Sequence, residues 1–175
     1  MEDVLDLSQI NSGVLTIRSG AVDLIDCLRD AQQASSAVQD EVSSQVEFTH
    51  EPDDPGPLIR SDGTRVSQLV RNLVENARRH ADSQDVKITA TMVSDPSIEN
   101  ALVRISVLDF GEGIPDDKFE TIFEPFQQLE NCDGTTGQGA GLGLSICKNL
   151  AVALGGDLNV EMNRPQVLVS PLNSC

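Results

Sequence analysis

The chain contains 175 residues, of which 39% are apolar, so its length and composition suit one globular domain and argue against wholesale disorder. Its 28 acidic and 12 basic residues give a formal net charge of −16, a balance that repels nucleic acids and anionic membrane surfaces. Since the sequence shows no apolar run long enough to cross a membrane and no signal-peptide pattern, we expect cytoplasmic residence.

Apolar spacing, turn residues and capping signals divide the chain into alternating helices and strands. In chain order, the predicted elements are a helix at 1–12, a strand at 15–18, a helix from 24 to about 42 capped by Asp23, strands at 46–49 and 58–61, a helix at 66–80, strands at 86–93 and 101–109, a helix after the glycine-bearing stretch 110–143 that ends at Gly155-Gly156, and strands at 157–161 and 166–169. Turns are predicted at 51–57 and 94–100. This order predicts an α/β fold in which helices cover one face of a mixed sheet.

The cysteines are widely spaced and form neither a CxxC pair nor a cluster with the two histidines. Zinc sites need grouped Cys or His ligands, and disulfide frameworks are typical of small secreted chains. The sequence therefore predicts free thiols at all four cysteines. These are Cys27, Cys132, Cys147 and Cys175.

The helix at 66–80 combines an apolar stripe with a polar stripe. Asn72, Asn76 and Arg79 stand at i, i+4 and i+7, so they share a face distinct from the apolar one. An amide oxygen suits Mg²⁺, and the guanidinium fork suits phosphate. A polar face turned to solvent is the alternative interpretation.

A carboxylate and two glycines follow the strand predicted at 101–109. Asp109 accepts hydrogen bonds only, which suits the exocyclic amine of adenine. Gly111 and Gly113 allow the backbone to turn tightly and to approach a flat ring. An ordinary strand-ending turn is the alternative.

Four of the five phenylalanines lie between residues 110 and 126. Scarce aromatic side chains beside a glycine-rich stretch indicate a hinged cover that packs on a ligand. Ordinary core packing explains the same pattern equally well.

The sequence GQGAGLGL at 137–144 runs directly into the last predicted helix. Backbone N–H groups at a glycine-rich helix start form an anion site. The spacing matches neither GxGxxG nor a P-loop.

In this order and spacing, the four segments closely resemble the four nucleotide-binding boxes of sensor histidine kinases. The matching segments are NLVENARRHA, LDFGEGIPDDKF, IFEPFQQ and GAGLGLSICKNLA. The wider superfamily, known as GHKL, includes gyrase, mismatch-repair and chaperone ATPases. The resemblance covers about residues 1–161, because MEDVLDLSQINSGVL also resembles the end of that family's second dimerisation helix and its linker.

The resemblance implies a two-layer α/β sandwich of the Bergerat type, with a mixed, mostly antiparallel sheet covered by helices on one face. It implies that residues 1–13 end a dimerisation helix and linker, and that 14–175 form the ATP-binding domain with a lid at about 115–140. The implied cofactors are ATP and Mg²⁺. The implied catalytic residues are Asn72, which supports metal and phosphates, Asn76, which binds Mg²⁺, and Arg79, which contacts phosphate. Asp109 would hold the adenine amine. The other implied ATP-binding residues are His80, Gly111, Gly113, Ile114, Phe123, Gly139, Gly141, Leu142, Gly143 and Leu144.

The implied activity is transfer of the ATP γ-phosphate to a histidine on a dimerisation domain absent from this chain. The implied partners are that domain, a downstream response regulator and a second copy in the intact, sometimes membrane-anchored, kinase. The family's phosphoacceptor box has no match here, and His50, in the sequence FTHE, lies in a turn-like stretch and not in such a box. We therefore expect ATP binding without self-phosphorylation. The segment 163–171 also departs from the glycine turn and aromatic strand that usually close the family's domain.

Two other functions stay open on the sequence alone. In ATP-hydrolysing relatives, a Glu at the position of Asn72 would activate water, whereas an amide cannot accept the proton. A non-catalytic ATP-binding module is the second alternative, because the phosphoacceptor is missing.

Overall fold

The computed structural model describes residues 15–36, 44–49, 58–80, 86–93, 102–111, 113–119, 121–127, 141–161 and 164–169. In chain order these form β1 (Gly20–Asp23), α1 (Leu24–Ser36), β2 (Ser44–Thr49), β3 (Leu58–Ser61), α2 (Gly63–His80), β4 (Val86–Val93), β5 (Leu102–Leu108), the 3-10 turns η1 (Asp116–Lys118) and η2 (Thr121–Phe123), α3 (Gly143–Ala153), β6 (Asp157–Glu161) and β7 (Arg164–Val169). The helix predicted at 1–12, the end of the helix predicted to 42, and the turns at 51–57 and 94–100 lie outside the described residues.

Five strands form one mixed sheet in the order β2-β4-β5-β7-β6. β2 and β4 run parallel, whereas the other neighbouring strands run antiparallel. Across β4 and β5, Ile88 lies opposite Val107 and Ala90 lies opposite Ile105, and all four side chains are 0% exposed. The predicted mixed, mostly antiparallel sheet is confirmed, and one face of these two strands belongs to the core.

A separate two-stranded sheet lies beside this main sheet. β1 and β3 pair antiparallel, with Gly20 opposite Ser61 and Asp23 opposite Leu58. The prediction of a strand at 15–18 is wrong, because residues 15–19 have no regular structure. The hydrogen-bonded pairing of β1 with β3 begins only at Gly20. Leu15 packs against the core, as its apolar character suggested, but β3 has only four residues and offers no partner further along.

The helix α2 lies at the centre of the helical layer. It contacts α1 on one side, α3 on the other, and β4 and β5 of the sheet. Its predicted apolar stripe is confirmed, since every member is at most 2% exposed: Val66, Leu69, Val70, Leu73, Val74 and Ala77. Burying one such side chain stabilises a fold by about 1.5–3 kcal/mol, so the stripe fixes which face α2 turns away from the core.

Carboxylates cap the first two helices. Asp23 Oδ1 accepts hydrogen bonds from the N–H groups of Ile25 at 3.0 Å and Asp26 at 3.2 Å, which confirms the predicted cap. α2 begins three residues before the predicted start, because Asp62 Oδ1 accepts from the N–H of Arg65 at 3.2 Å. A cap of this kind satisfies donors that the first helical turn leaves open.

The end of α3 confirms the predicted glycine stop. The N–H groups of Gly155 and Gly156 donate to the carbonyls of Val152 at 3.0 Å and Ala151 at 2.9 Å. Gly155 has φ of 77°, the left-handed conformation that glycine adopts without strain. This tight stop turns the chain directly into β6.

Two cysteines lie within the described residues. Cys27 and Cys147 are both buried free thiols. Burial, the largest cause, raises the pKa of the Cys27 thiol, whose Sγ lies 2.8 Å from Ser67 Oγ. Among the described helices, none is both long and apolar enough to span a membrane.

Candidate nucleotide-binding site

The polar stripe of α2 runs from the protein interior to its surface. Asn72 is only 8% exposed, Asn76 is half-buried and Arg79 is exposed. A rise of 1.5 Å per residue separates Asn72 from Arg79 by about 10 Å along the helix axis. Since Asn72 is buried, the stripe is not simply a solvated face. His80 is the last residue of α2.

The carboxylate of Asp109 follows β5 and shapes the turn after it. Its Oδ1 accepts a hydrogen bond from the N–H of Gly111 at 3.1 Å. This bond to the turn uses one of the two carboxylate oxygens. Gly113 has φ of 82°, which explains glycine there, and Ile114 beside it is half-buried.

The phenylalanines after Asp109 divide into two groups. Phe123 packs against the core, whereas Phe110 is 54% exposed and Phe126 is 70% exposed. Phe126 also has φ of 67°, which is unusual for a residue with a side chain. Core packing thus explains Phe123, and the two exposed rings have no such explanation.

Gly141 brings the glycine-rich segment against residues 121–127. Its carbonyl accepts a hydrogen bond from the N–H of Phe126 at 2.9 Å. With φ of 66°, a Cβ at Gly141 would lie 2.6 Å from the carbonyl oxygen of Gln127, closer than real Cβ contacts allow. Glycine at this position is therefore required by the close approach of two backbone segments.

The start of α3 differs from the starts of α1 and α2, because no side chain caps it. The N-cap position is Leu142, which is 2% exposed and whose side chain has no oxygen that could accept from the first-turn N–H groups. Gly143 is the first helical residue, and a Cβ there would meet no atom of the described residues within 4 Å. Leu144 packs against the core, and Gly139 lies outside the described residues. A helix start with no side-chain cap among the described residues suits an anion.

The helices that carry these groups contact one another. Cys147 Sγ of α3 donates to the carbonyl of Leu69 in α2 at 3.6 Å, and α2 also contacts β5, which ends beside Asp109. Within the described part of the chain, no group of three or more His, Cys, Asp or Glu side chains is placed to hold a metal ion.

Sequence reasoning missed Lys148 of α3. Its Nζ lies 2.6 Å from Asp157 Oδ1, donates to the carbonyl of Leu158 at 2.8 Å and stands 5.3 Å from the centroid of the Phe123 ring. The hydrogen bond from Lys148 lowers the pKa of the Asp157 carboxyl. A lysine on an amphipathic helix usually marks a solvated face, so the local sequence offers no signal of these contacts.

The fold is an α/β sandwich: a mixed sheet is backed by helices, α3 starts at a glycine, and α2 beside it carries the buried amide of Asn72. Residues 61–169 match the model for the histidine kinase-, DNA gyrase B-, and HSP90-like ATPase family, and the chain belongs to that family. The predicted family is confirmed.

Similar proteins with curated names are two-component kinases. Two-component system protein A of Emericella nidulans is 34% identical over 166 residues, which cover 93% of this chain and 24% of that protein. The autoinducer 2 sensor kinase/phosphatase LuxQ of Vibrio harveyi is 30% identical over 94% of this chain and 19% of that protein. The alginate biosynthesis sensor protein KinB of Pseudomonas aeruginosa is 32% identical over 92% of this chain and 25% of that protein. The chain thus spans a quarter or less of the length of these relatives.

Solved structures with the same fold are histidine kinases. Full-length ShkA in complex with AMPPNP has a TM-score of 0.73 and 25% identity, covering 99% of this chain and 35% of that chain. The catalytic domain of histidine kinase ThkA has a TM-score of 0.65 and 26% identity, covering 88% of this chain and 98% of that chain. These comparisons identify the chain as a histidine-kinase-type ATP-binding catalytic domain.

Proposed function

We propose that this domain binds MgATP and passes the γ-phosphate to a histidine on a dimerisation domain. The observation that carries the proposal is the start of α3. There, packing does not require a glycine at position 143, since a Cβ would meet no atom of the described part of the chain within 4 Å, and no described side chain caps the helix. The phosphates of ATP are the ligand that fits both features, because they accept hydrogen bonds from helix-start N–H groups and need the space that a side chain would fill.

The other roles follow from the placement of each side chain. Asp109 keeps one carboxylate oxygen for the N–H of Gly111 and offers the other to the adenine amine. Asn76, half-buried on α2, would supply an oxygen to Mg²⁺, with Asn72 behind it and exposed Arg79 contacting phosphate. When bound, the metal neutralises charge on the phosphate oxygens.

Phosphoryl transfer is favoured over hydrolysis by Asn72. Its buried amide stands on the face of α2 that would meet the phosphates, and an amide cannot take a proton from water. Positioning and charge stabilisation account for most of the catalysis of phosphoryl transfer, so a site without a general base can still deliver the γ-phosphate to a docked histidine.

The proposed organisation assigns residues 1–13 to the end of a dimerisation helix and linker, and 14–175 to the ATP-binding domain with a lid at about 115–140. The acceptor domain, a second copy of the kinase and a downstream response regulator are the proposed partners. Cytoplasmic residence is proposed for this domain, which agrees with its high negative charge and apolar core.

Calorimetric titration with MgATP and with AMPPNP tests the binding step, and a phosphate-release assay tests the chemistry. We expect saturable binding of both nucleotides with little steady release of phosphate. Sustained turnover to free phosphate would favour the hydrolytic alternative. Absence of nucleotide binding by the folded chain would contradict the proposal.

A further inference from the structure

We propose that Lys148 is a positioning residue for the nucleotide: its ammonium holds residues 121–127 against α3 and thereby fixes the glycine segment at 141–143. This inference rests on the proposed function, because it assigns the residue that keeps the phosphate-binding backbone in place. Lys148 lies on α3, C-terminal to the glycine segment, and acts by keeping that segment in place.

The ammonium of Lys148 joins three parts of the fold. Two of its contacts reach the start of β6, at Asp157 Oδ1 (2.6 Å) and at the carbonyl of Leu158 (2.8 Å). The third places Nζ 5.3 Å from the centroid of the Phe123 ring, within the range of a cation–π interaction. One side chain of α3 thus holds both β6 and η2.

The contact with Phe123 matters because Phe126, three residues further along the chain, contacts the glycine segment at 141–143. The N–H of Phe126 donates to the carbonyl of Gly141 at 2.9 Å, and the backbone of Gln127 approaches the position where a Gly141 side chain would lie. Residues 121–127 therefore meet α3 and its start at several places, among them the Phe123 ring and the backbone bond to Gly141. Lys148 contacts the Phe123 ring, which core packing also helps to hold.

Loss of the ammonium should weaken the contact at Phe123 and, because both lie in residues 121–127, the backbone bond between Phe126 and Gly141 as well. Phe126 is 70% exposed, so its ring does little to hold the backbone bond to Gly141. The ion pair between Lys148 and Asp157 is weak, because 34% of the lysine side chain and 49% of the aspartate side chain are exposed and solvent screens the two charges. The interaction with Phe123 and the ion pair with Asp157 should therefore give separable effects.

Hydrogen exchange measures the backbone bond directly, because each amide exchanges when its local structure opens. In Lys148→Met, which keeps an unbranched apolar stem, we expect exchange at the Phe126 amide to rise about twofold to tenfold. The Leu154 amide, bonded to the carbonyl of Leu150 at 2.9 Å within the same helix, should stay unchanged and reports that α3 is intact. Lys148→Arg should restore slow exchange.

MgATP affinity, measured by calorimetry on the same variants, links the bond to the ligand. We expect Lys148→Met to weaken binding by a factor similar to the change in exchange, and Phe123→Leu to reproduce both effects. The loss in the double variant should be smaller than the sum of the two single losses, since both changes remove the contact between the ammonium and the Phe123 ring. Asp157→Asn, the matched control, should leave the Phe126 amide and the nucleotide affinity as in the wild type.

Several outcomes would overturn the inference. Unchanged exchange at Phe126 in Lys148→Met would mean that the ammonium does not hold residues 121–127. Equal effects of Lys148→Met and Asp157→Asn would mean that Lys148 acts only through its ion pair with Asp157, which stabilises the fold and does not position the nucleotide. Faster exchange with wild-type MgATP affinity would separate the segment from the nucleotide. If the wild-type chain does not bind MgATP, the proposed function is wrong. The exchange measurement still decides whether the Lys148 ammonium holds residues 121–127 against α3.

Discussion

A single added methyl group can test the contact between the glycine segment and residues 121–127. In Gly141→Ala, the new Cβ would lie 2.6 Å from the carbonyl oxygen of Gln127 and 2.9 Å from the carbonyl carbon of Phe126. Both atoms belong to the backbone, so the conflict cannot be relieved by rotating a side chain. The φ of 66° adds about 1–2 kcal/mol of strain for any residue with a Cβ.

We therefore expect Gly141→Ala to lower the free energy of unfolding by about 1–3 kcal/mol, or to break the bond from Phe126 and release the segment. For a chain of this size, each kcal/mol corresponds to roughly 2–4 °C in Tm. The variant should also bind ATP more weakly, because the phosphate-binding backbone is displaced.

Gly143→Ala is the matched control, two residues away in the same segment. A Cβ there meets no atom within 4 Å among the residues that the structure describes, and alanine favours a helix over glycine by up to about 1 kcal/mol. Its Tm should therefore be unchanged or slightly higher. Its ATP affinity should fall at least about tenfold, since the methyl group would occupy the space proposed for phosphate.

Thermal unfolding followed by circular dichroism and calorimetric titration with MgATP give both quantities for each variant. A Gly141→Ala protein with wild-type Tm and wild-type exchange at the Phe126 amide would refute the argument from close approach. A Gly143→Ala protein with wild-type ATP affinity would refute the phosphate site at the start of α3.

Three further predictions concern carboxylates and amides. Asp109→Asn keeps one oxygen for its turn but turns an N–H₂ toward the adenine amine, so ATP affinity measured by calorimetry should fall about five- to 150-fold with the fold retained; unchanged affinity would make the adenine assignment wrong. Asn76→Ala should weaken binding of MgATP more than binding of metal-free adenosine, and equal losses would mean that Asn76 only shapes the pocket. Asp62→Asn keeps the helix cap but loses the acceptor for the N–H of Arg18, bonded at 2.8 Å, so urea unfolding should show a loss of about 1–3 kcal/mol. Asp23→Asn, whose cap uses one oxygen, should cost much less, and equal losses would contradict this account.

The sequence predicted the periodic elements well because one buried face enforces the period. The stripe of α2 is buried as predicted, and β4 has the predicted bounds, with Val86, Ile88 and Ala90 buried. Residues 15–18 also alternate, and Leu15 and Ile17 do pack on the core. The prediction of a strand there is wrong because a strand needs a partner, and β3 pairs only with Gly20–Asp23. The sequence at 15–18 does not indicate the length of β3, which lies about forty positions further along the chain.

Side chains that join distant segments were the part of the site that the sequence could not predict. Asp62 could have been recognised as a cap, but its second oxygen accepts from Arg18, 44 positions away. Lys148 contacts Asp157 because the stop at Gly155 returns the chain beside α3, and it contacts Phe123 from a segment that comes well before α3 in the chain. These contacts depend on tertiary closure, which no local spacing encodes.

Incubation of the 175-residue chain with γ-labelled ATP, with and without a histidine-bearing dimerisation domain from a related kinase, tests the central claim most directly. The account predicts acid-labile label on the added domain and none on this chain, with a slow rate set by encounter and orientation. Label on this chain alone would make His50 or His80 an acceptor and contradict the division of labour. Intact ATP binding without label on any acceptor would contradict the proposed phosphoryl transfer and leave a nucleotide-binding module.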